Sequence, residues 1–116
     1  MIAKANRFHG HNSLSLVYRK GQTFSVQQAS LKFVPKKNDK PYRLAVVVSR
    51  KVDKKAVVRN RIRRRIYELF RDKQPRFTQN VDIIFTVHSA QLATMKSKDL
   101  DNLLNQLLVK STLFNQ

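Results

Sequence analysis

Between Arg50 and Arg65 the chain places nine basic residues, Arg50, Lys51, Lys54, Lys55, Arg59, Arg61, Arg63, Arg64 and Arg65, with Asp53 as the only acid, so sixteen residues hold a net +8. Arginine dominates the second half of this run. A planar guanidinium can clamp a phosphate with two hydrogen bonds or stack on a base, which suits structured RNA or DNA better than diffuse attraction does. A solvated helix face would intersperse glutamate to form i,i+4 pairs, yet Glu68 is the only glutamate in the chain. Asn60, between Arg59 and Arg61, can cap a helix start or hydrogen-bond locally.

Catalytic chemistry finds no comparable grouping. Asp39, Asp53, Asp72, Asp82, Asp99 and Asp101 are scattered, whereas metal-dependent nucleases need clustered carboxylates. His9 and His11 sit in a basic leader and His88 stands alone after a strand pattern, and no phosphate-binding glycine loop, nucleophile elbow or HExxH motif occurs. We therefore assign no catalytic and no metal-binding residue.

The elements that must carry these residues follow from periodicity. Leu14, Val17 and Tyr18 at i, i+3 and i+4, with Arg19 and Lys20 before Gly21, predict a short helix over 12–20. At that spacing Leu14 and Tyr18 are core residues by default, although an aromatic exposed on a cleft can stack bases. Residues 1–11 read as an extended basic arm. From Gln22 to Ser49 the period falls to two and predicts three strands, around Phe24 and Val26, around Leu31 and Phe33, and over Leu44 to Val48. Pro35 to Pro41 reads as the turn of an antiparallel hairpin joining the last two, and the apolar run 44–48 suits a central strand. Val58, Ile62, Ile66, Leu69 and Phe70 form one stripe on a basic amphipathic helix over 57–71. A fourth strand follows at Val81 to Val87. Ser97 reads as an N-cap, with Asp99 in the first turn of a helix carrying Leu100, Leu103, Leu104, Leu107, Leu108 and Phe114. The order α-β-β-β-α-β-α gives an α+β domain with a four-stranded sheet covered by helices, and the β-α-β segment around the basic helix defaults to a right-handed crossover if its strands are parallel.

Composition limits the partners. The 116 residues carry 24 Lys and Arg against 7 Asp and Glu, a formal charge of +17, which concentrates polyanions through counterion release. With 41% apolar residues the chain can build a core as one domain, 1–116, burying roughly two thirds of its unfolded surface. Cysteine is absent, which excludes disulfides and thiolate metal sites. The longest apolar run, Leu44 to Val48, is far short of the roughly 20 residues that span a bilayer. A cytoplasmic protein with no membrane partner and no obligate protein partner is the expectation.

The run Ala56-Val57-Val58-Arg59-Asn60-Arg61-Ile62-Arg63-Arg64, led by Val48-Ser49-Arg50-Lys51, resembles the RNR motif and preceding strand of the protein subunit of bacterial ribonuclease P. Asn6-Arg7, Leu14 to Gly21 (LSLVYRKG), Val81-Asp82-Ile83-Ile84 and the leucine-rich final helix extend the resemblance over essentially the whole chain. It implies an αβββαβα domain similar to domain 2 of ribosomal protein S5, with a left-handed crossover that replaces the default. It implies an endoribonuclease holoenzyme in which the protein joins ribonuclease P RNA, and that RNA, with bound Mg²⁺ and no organic cofactor, removes the 5′ leader of precursor tRNA. By position, Arg50, Lys51, Arg59, Asn60, Arg61, Arg63 and Arg64 would contact the RNA subunit. Leu14, Tyr18 and Lys32 would face the leader in a cleft between the first helix and the sheet. Leu14 stands where many relatives carry Phe, and Tyr67 where a basic residue is common.

Two other readings make different demands. A structural ribosomal protein of similar charge would need no leader cleft beside the basic helix. A DNA-groove reader would need a helix-turn-helix pair, which the pattern does not supply.

Overall fold

The computed structural model describes residues 17–35, 42–73 and 81–111. Leu14, Phe114, the basic leader and the Pro35 to Pro41 turn beyond its first residue lie outside them. A helical turn at 17–20 (α1) is followed by strands β1 (Gln22–Ser25), β2 (Ala29–Pro35) and β3 (Arg43–Val47), helix α2 (Ala56–Lys73), strand β4 (Val81–Val87), a 3₁₀ turn at Ala90–Ala93 and helix α3 (Ser97–Lys110). The α+β expectation holds.

The strand order is β1-β2-β4-β3, with β1-β2 and β2-β4 antiparallel and β3-β4 parallel. This corrects two expectations. β2 and β3 do not form a hairpin, because β4 lies between them, and the apolar run of β3 occupies an edge position. The physical reason is that β3 and β4 are both apolar on two faces. In β4, Val81, Ile83, Ile84, Phe85 and Val87 are all buried, and such a strand is best placed between two partners. β3 buries Leu44, Ala45 and Val46 at the edge because α2 covers one face while Val17 of α1 packs with Ala45 and Ile84 on the other.

The main core fills the space between one sheet face and the helices. Leu31 and Phe33 of β2, Ile83 and Phe85 of β4 and Leu44 and Val46 of β3 meet Ile62, Ile66 and Phe70 of α2 and the leucines of α3. Phe70 meets Phe85 edge-on at 6.0 Å. Each of these buried side chains contributes roughly 1.5–3 kcal/mol. The α2 stripe expected at Val58, Ile62, Ile66, Leu69 and Phe70 is the packed face, with Val58 and Leu69 partly buried. α2 runs two residues further than its periodicity indicates, and Pro75 follows two positions past its end. Its last residue, Lys73, is buried and ion-paired with Asp101 of α3.

At α3, Lys96 rather than Ser97 occupies the N-cap position, with no side-chain cap bond. The preceding 3₁₀ turn, which the sequence pattern did not show, is capped instead by Ser89, whose side chain accepts from the Gln91 amide. Gly21 ends α1 by donating its amide to the Val17 carbonyl at 2.8 Å. A side chain there has no room: a Cβ would lie 2.5 Å from the Val17 oxygen and 2.8 Å from Lys32 Cγ.

Candidate nucleic-acid interface

α2 buries Ile62, Ile66 and Phe70 and turns Asn60, Arg61 and Arg64 to solvent. Its first turn contains no acid, so the positive end of the helix dipole adds to the arginines instead of being offset. Arg61 and Arg64 make no hydrogen bond or ion pair among the described residues. Free guanidiniums fixed on a helix are suited to phosphate.

The other predicted residues divide by what they already hold. Arg50 and Lys51 are exposed in the turn after β3, where they line a recess with Lys54, Ala56 and Arg59. Arg59 is half committed: its Nη1 donates to the Asp53 and Lys54 carbonyls, each at 2.9 Å, and Asp53 Oδ1 accepts the Lys55 amide at 2.8 Å. Arg59 therefore shapes the turn that presents its neighbours. Asn60, the fifth residue of α2, is too deep in the helix to cap it, and it accepts a hydrogen bond from Arg63.

Arg65 differs from its neighbours. Its Nη1 donates to the Leu92 carbonyl at 2.6 Å and its Nη2 to that of Met95, so it ties α2 to the segment around the 3₁₀ turn. Desolvation by burial, with the nearby Arg61 charge, pushes its pKa down. Its place in a basic run gave no sign of this, because the carbonyls it meets lie 27 and 30 residues away.

A second candidate surface lies across the sheet. Side chains alternate along a strand, so Lys32, Ile84 and Ala45, which are in register, face away from the α2 core. Val17 covers Ala45 and Ile84 there, leaving Tyr18 and Lys32 beside them. Tyr18 is 48% exposed, against the core default for its spacing. The Lys32 Nζ lies over the Tyr18 ring, 5.7 Å from its centre, and donates to the Tyr18 carbonyl at 2.6 Å, so an ammonium sits against a half-exposed aromatic. The structure thus brings Tyr18 and Lys32 together, while Leu14 lies outside the described residues.

On the same open face, Arg43 and Asp82 pair across adjacent strands through two hydrogen bonds of 2.9 and 2.7 Å. The Asp82 hydrogen bond raises the Arg43 pKa. His88 Nε2 lies 3.0 Å from Ser30 Oγ. Among the described residues no three His, Asp or Glu side chains gather as a metal-binding group.

The model of the Ribonuclease P family matches residues 2–112. The chain belongs to the ribonuclease P protein family. It is 33% identical over 87 residues to the ribonuclease P protein component of a Pseudanabaena species, covering 75% of each chain. It is 32% identical over 115 residues to that of Clostridium botulinum strain Loch Maree, covering 97% of this chain and 99% of the relative. Among solved structures, the Staphylococcus aureus RNase P protein superposes with a TM-score of 0.84 at 28% identity, covering 97% of this chain and all of that one. The Thermotoga maritima RNase P protein, at 22% identity, shares the fold with a TM-score of 0.79 over 90% of this chain and 96% of its own. As a bacterial ribonuclease P protein subunit, the chain works in tRNA processing in association with ribonuclease P RNA. No helix among the described residues is long and apolar enough to cross a membrane.

Proposed function

We propose that the chain contributes no catalytic group of its own and acts by holding two nucleic acids on opposite faces of one sheet. The exposed side of α2 and the preceding turn, through Arg50, Lys51, Asn60, Arg61, Arg63 and Arg64, grip ribonuclease P RNA, with Arg59 bracing the turn. The open sheet face, through Tyr18 and Lys32, receives the single-stranded 5′ leader of precursor tRNA, and Leu14 belongs to that site by sequence position. Tyr18 would stack on a base while Lys32 meets the adjoining phosphate.

The observation that carries this reading is the pair of exposed guanidiniums, Arg61 and Arg64, with no ion-pair partner among the described residues, on the outer side of a helix whose inner side is locked into the core. The reaction is hydrolysis of a phosphodiester, and its Mg²⁺ suits RNA phosphates better than this chain, whose carboxylates form no metal-binding group among the described residues. That ion supplies charge neutralisation at the scissile phosphate when RNA holds it. The chain's arginines serve the same end by relieving repulsion where RNA strands converge. The cytoplasm is the compartment this role requires.

Titrating ribonuclease P RNA with the full chain across a salt series tests the RNA-facing surface. Arg61→Ala and Arg64→Ala should each weaken binding and lower the salt slope by roughly one. Affinity and slope equal to wild type in both variants would remove α2 from the interface.

A further inference from the structure

Asn60, Arg63, Arg64 and Tyr67 stand at i, i+3, i+4 and i+7 on α2, so they share one side of the helix. Together they line a recess of about 300 Å³. Two bonds stiffen its walls. Arg63 donates to Asn60 Oδ1, and the Tyr67 hydroxyl accepts the Val46 amide of edge strand β3 at 3.4 Å, while the Tyr67 ring packs partly against the core. Arg64 has no hydrogen-bond partner among the described residues.

We propose that this recess receives an unpaired nucleobase of the bound RNA, its ring against Tyr67 and its phosphate on Arg64. The inference rests on the assignment of α2 to the RNA and adds a base-recognition site to a helix otherwise suited to the backbone. A phosphate site needs only cations, and the neighbouring recess of Arg50, Lys51, Lys54, Ala56 and Arg59 has that character with no aromatic wall. At Tyr67 an aromatic surface is instead ringed by two guanidiniums and a carboxamide. That combination matches the three parts of a nucleotide: a flat ring that stacks, an anion, and edge acceptors within the chemistry of an amide donor. An apolar peptide would leave the guanidiniums unpaired, whereas a polyanion satisfies them and the net +17 of the chain.

The test uses the full chain, ribonuclease P RNA as probe, and variants first checked for folding by circular-dichroism melting. Tyr67→Leu should weaken binding by about 5- to 100-fold without changing the salt slope, because a stacked base is lost and no charge is. Tyr67→Phe, which keeps the ring and loses only the bond to Val46, should recover most of that affinity. Tyr67→Lys should bind more weakly than wild type at high salt despite its added charge. If Tyr67→Leu and Tyr67→Lys both match or exceed wild type while Arg64→Ala weakens binding, the base site is wrong and the α2 interface stands. If Arg61→Ala and Arg64→Ala also have no effect, the interface itself is wrong. Should the leucine and lysine variants fail to fold, ultraviolet crosslinking of the wild-type complex decides: a nucleobase joined to the peptide carrying Tyr67 supports the site, and crosslinks confined to other peptides of α2 overturn it.

Discussion

Arg65 reaches from the middle of α2 to the carbonyl of Leu92 at 2.6 Å and, with its other terminal nitrogen, to Met95. It stands directly after Arg63 and Arg64, yet a step of 100° along the helix turns it from the exposed side to an internal joint. Two helical neighbours of one residue type thus differ: Arg64 is exposed and has no hydrogen-bond partner among the described residues, while Arg65 is tied to the chain's own backbone.

Arg65→Ala should therefore lower folding stability by about 1–3 kcal/mol, since two carbonyls lose a charged donor in a half-buried place. Arg65→Lys should recover only part of the loss, because one ammonium does not reproduce the guanidinium fork. Urea denaturation reads both. Stability equal to wild type in Arg65→Ala would show that the joint is not energetically coupled to folding.

Gly21→Ala should destabilise by about 1–3 kcal/mol, as expected for overpacking. The added methyl meets the Val17 and Phe33 carbonyl oxygens, 2.5 and 3.1 Å from the Cβ position, and neither can swing aside as a side-chain tip would. Because Lys32 Cγ is the third neighbour, the same change should also disturb the Tyr18 and Lys32 pair. A melting temperature unchanged from wild type would contradict this.

Tyr18→Ala should weaken the holoenzyme's binding of precursor tRNA by about 5- to 100-fold and leave mature tRNA nearly unaffected, because only the precursor carries a leader to stack. Competition binding with the two tRNAs measures the ratio. Equal losses for both would take Tyr18 out of the leader site.

Tyr42 offers a pH test of the core. Burial pushes its phenol from 10.0 to about 12, so the folded chain favours the neutral form. The unfolded phenol ionises first as pH rises, and stability present below pH 10 is lost between there and about 12. The difference in unfolding free energy between wild type and Tyr42→Phe should shift against wild type by on the order of 2 kcal/mol across that window. A difference that stays flat with pH would mean that the phenol titrates alike in both states.

Much of this was legible in the chain itself. Elements with a clean period coincide with the structure: β4 falls on Val81 to Val87, and the stripe of Ile62, Ile66 and Phe70 is the buried face of α2. Periodicity reports which faces are apolar and says nothing of which strand lies beside which. The apolar run of β3 consequently read as central, when its edge position is covered by α2 and Val17. The exposed guanidiniums of Arg61 and Arg64 followed from a charge excess that no local acid could neutralise. Arg65 and Tyr67 did not, because their partners, Leu92, Met95 and Val46, are set by tertiary packing and lie 21 to 30 residues away.

In the function proposed above, the polypeptide positions nucleic acid while RNA performs the cleavage. The most direct test is 5′ cleavage of precursor tRNA at low Mg²⁺ by a bacterial ribonuclease P RNA, with and without the purified full chain, and with the nucleic-acid-free chain alone. Cleavage at the mature 5′ end is expected only when RNA is present, with a clear rise in rate when the chain is added. Cleavage by the chain alone, or no gain on adding it to the RNA, would contradict the proposal.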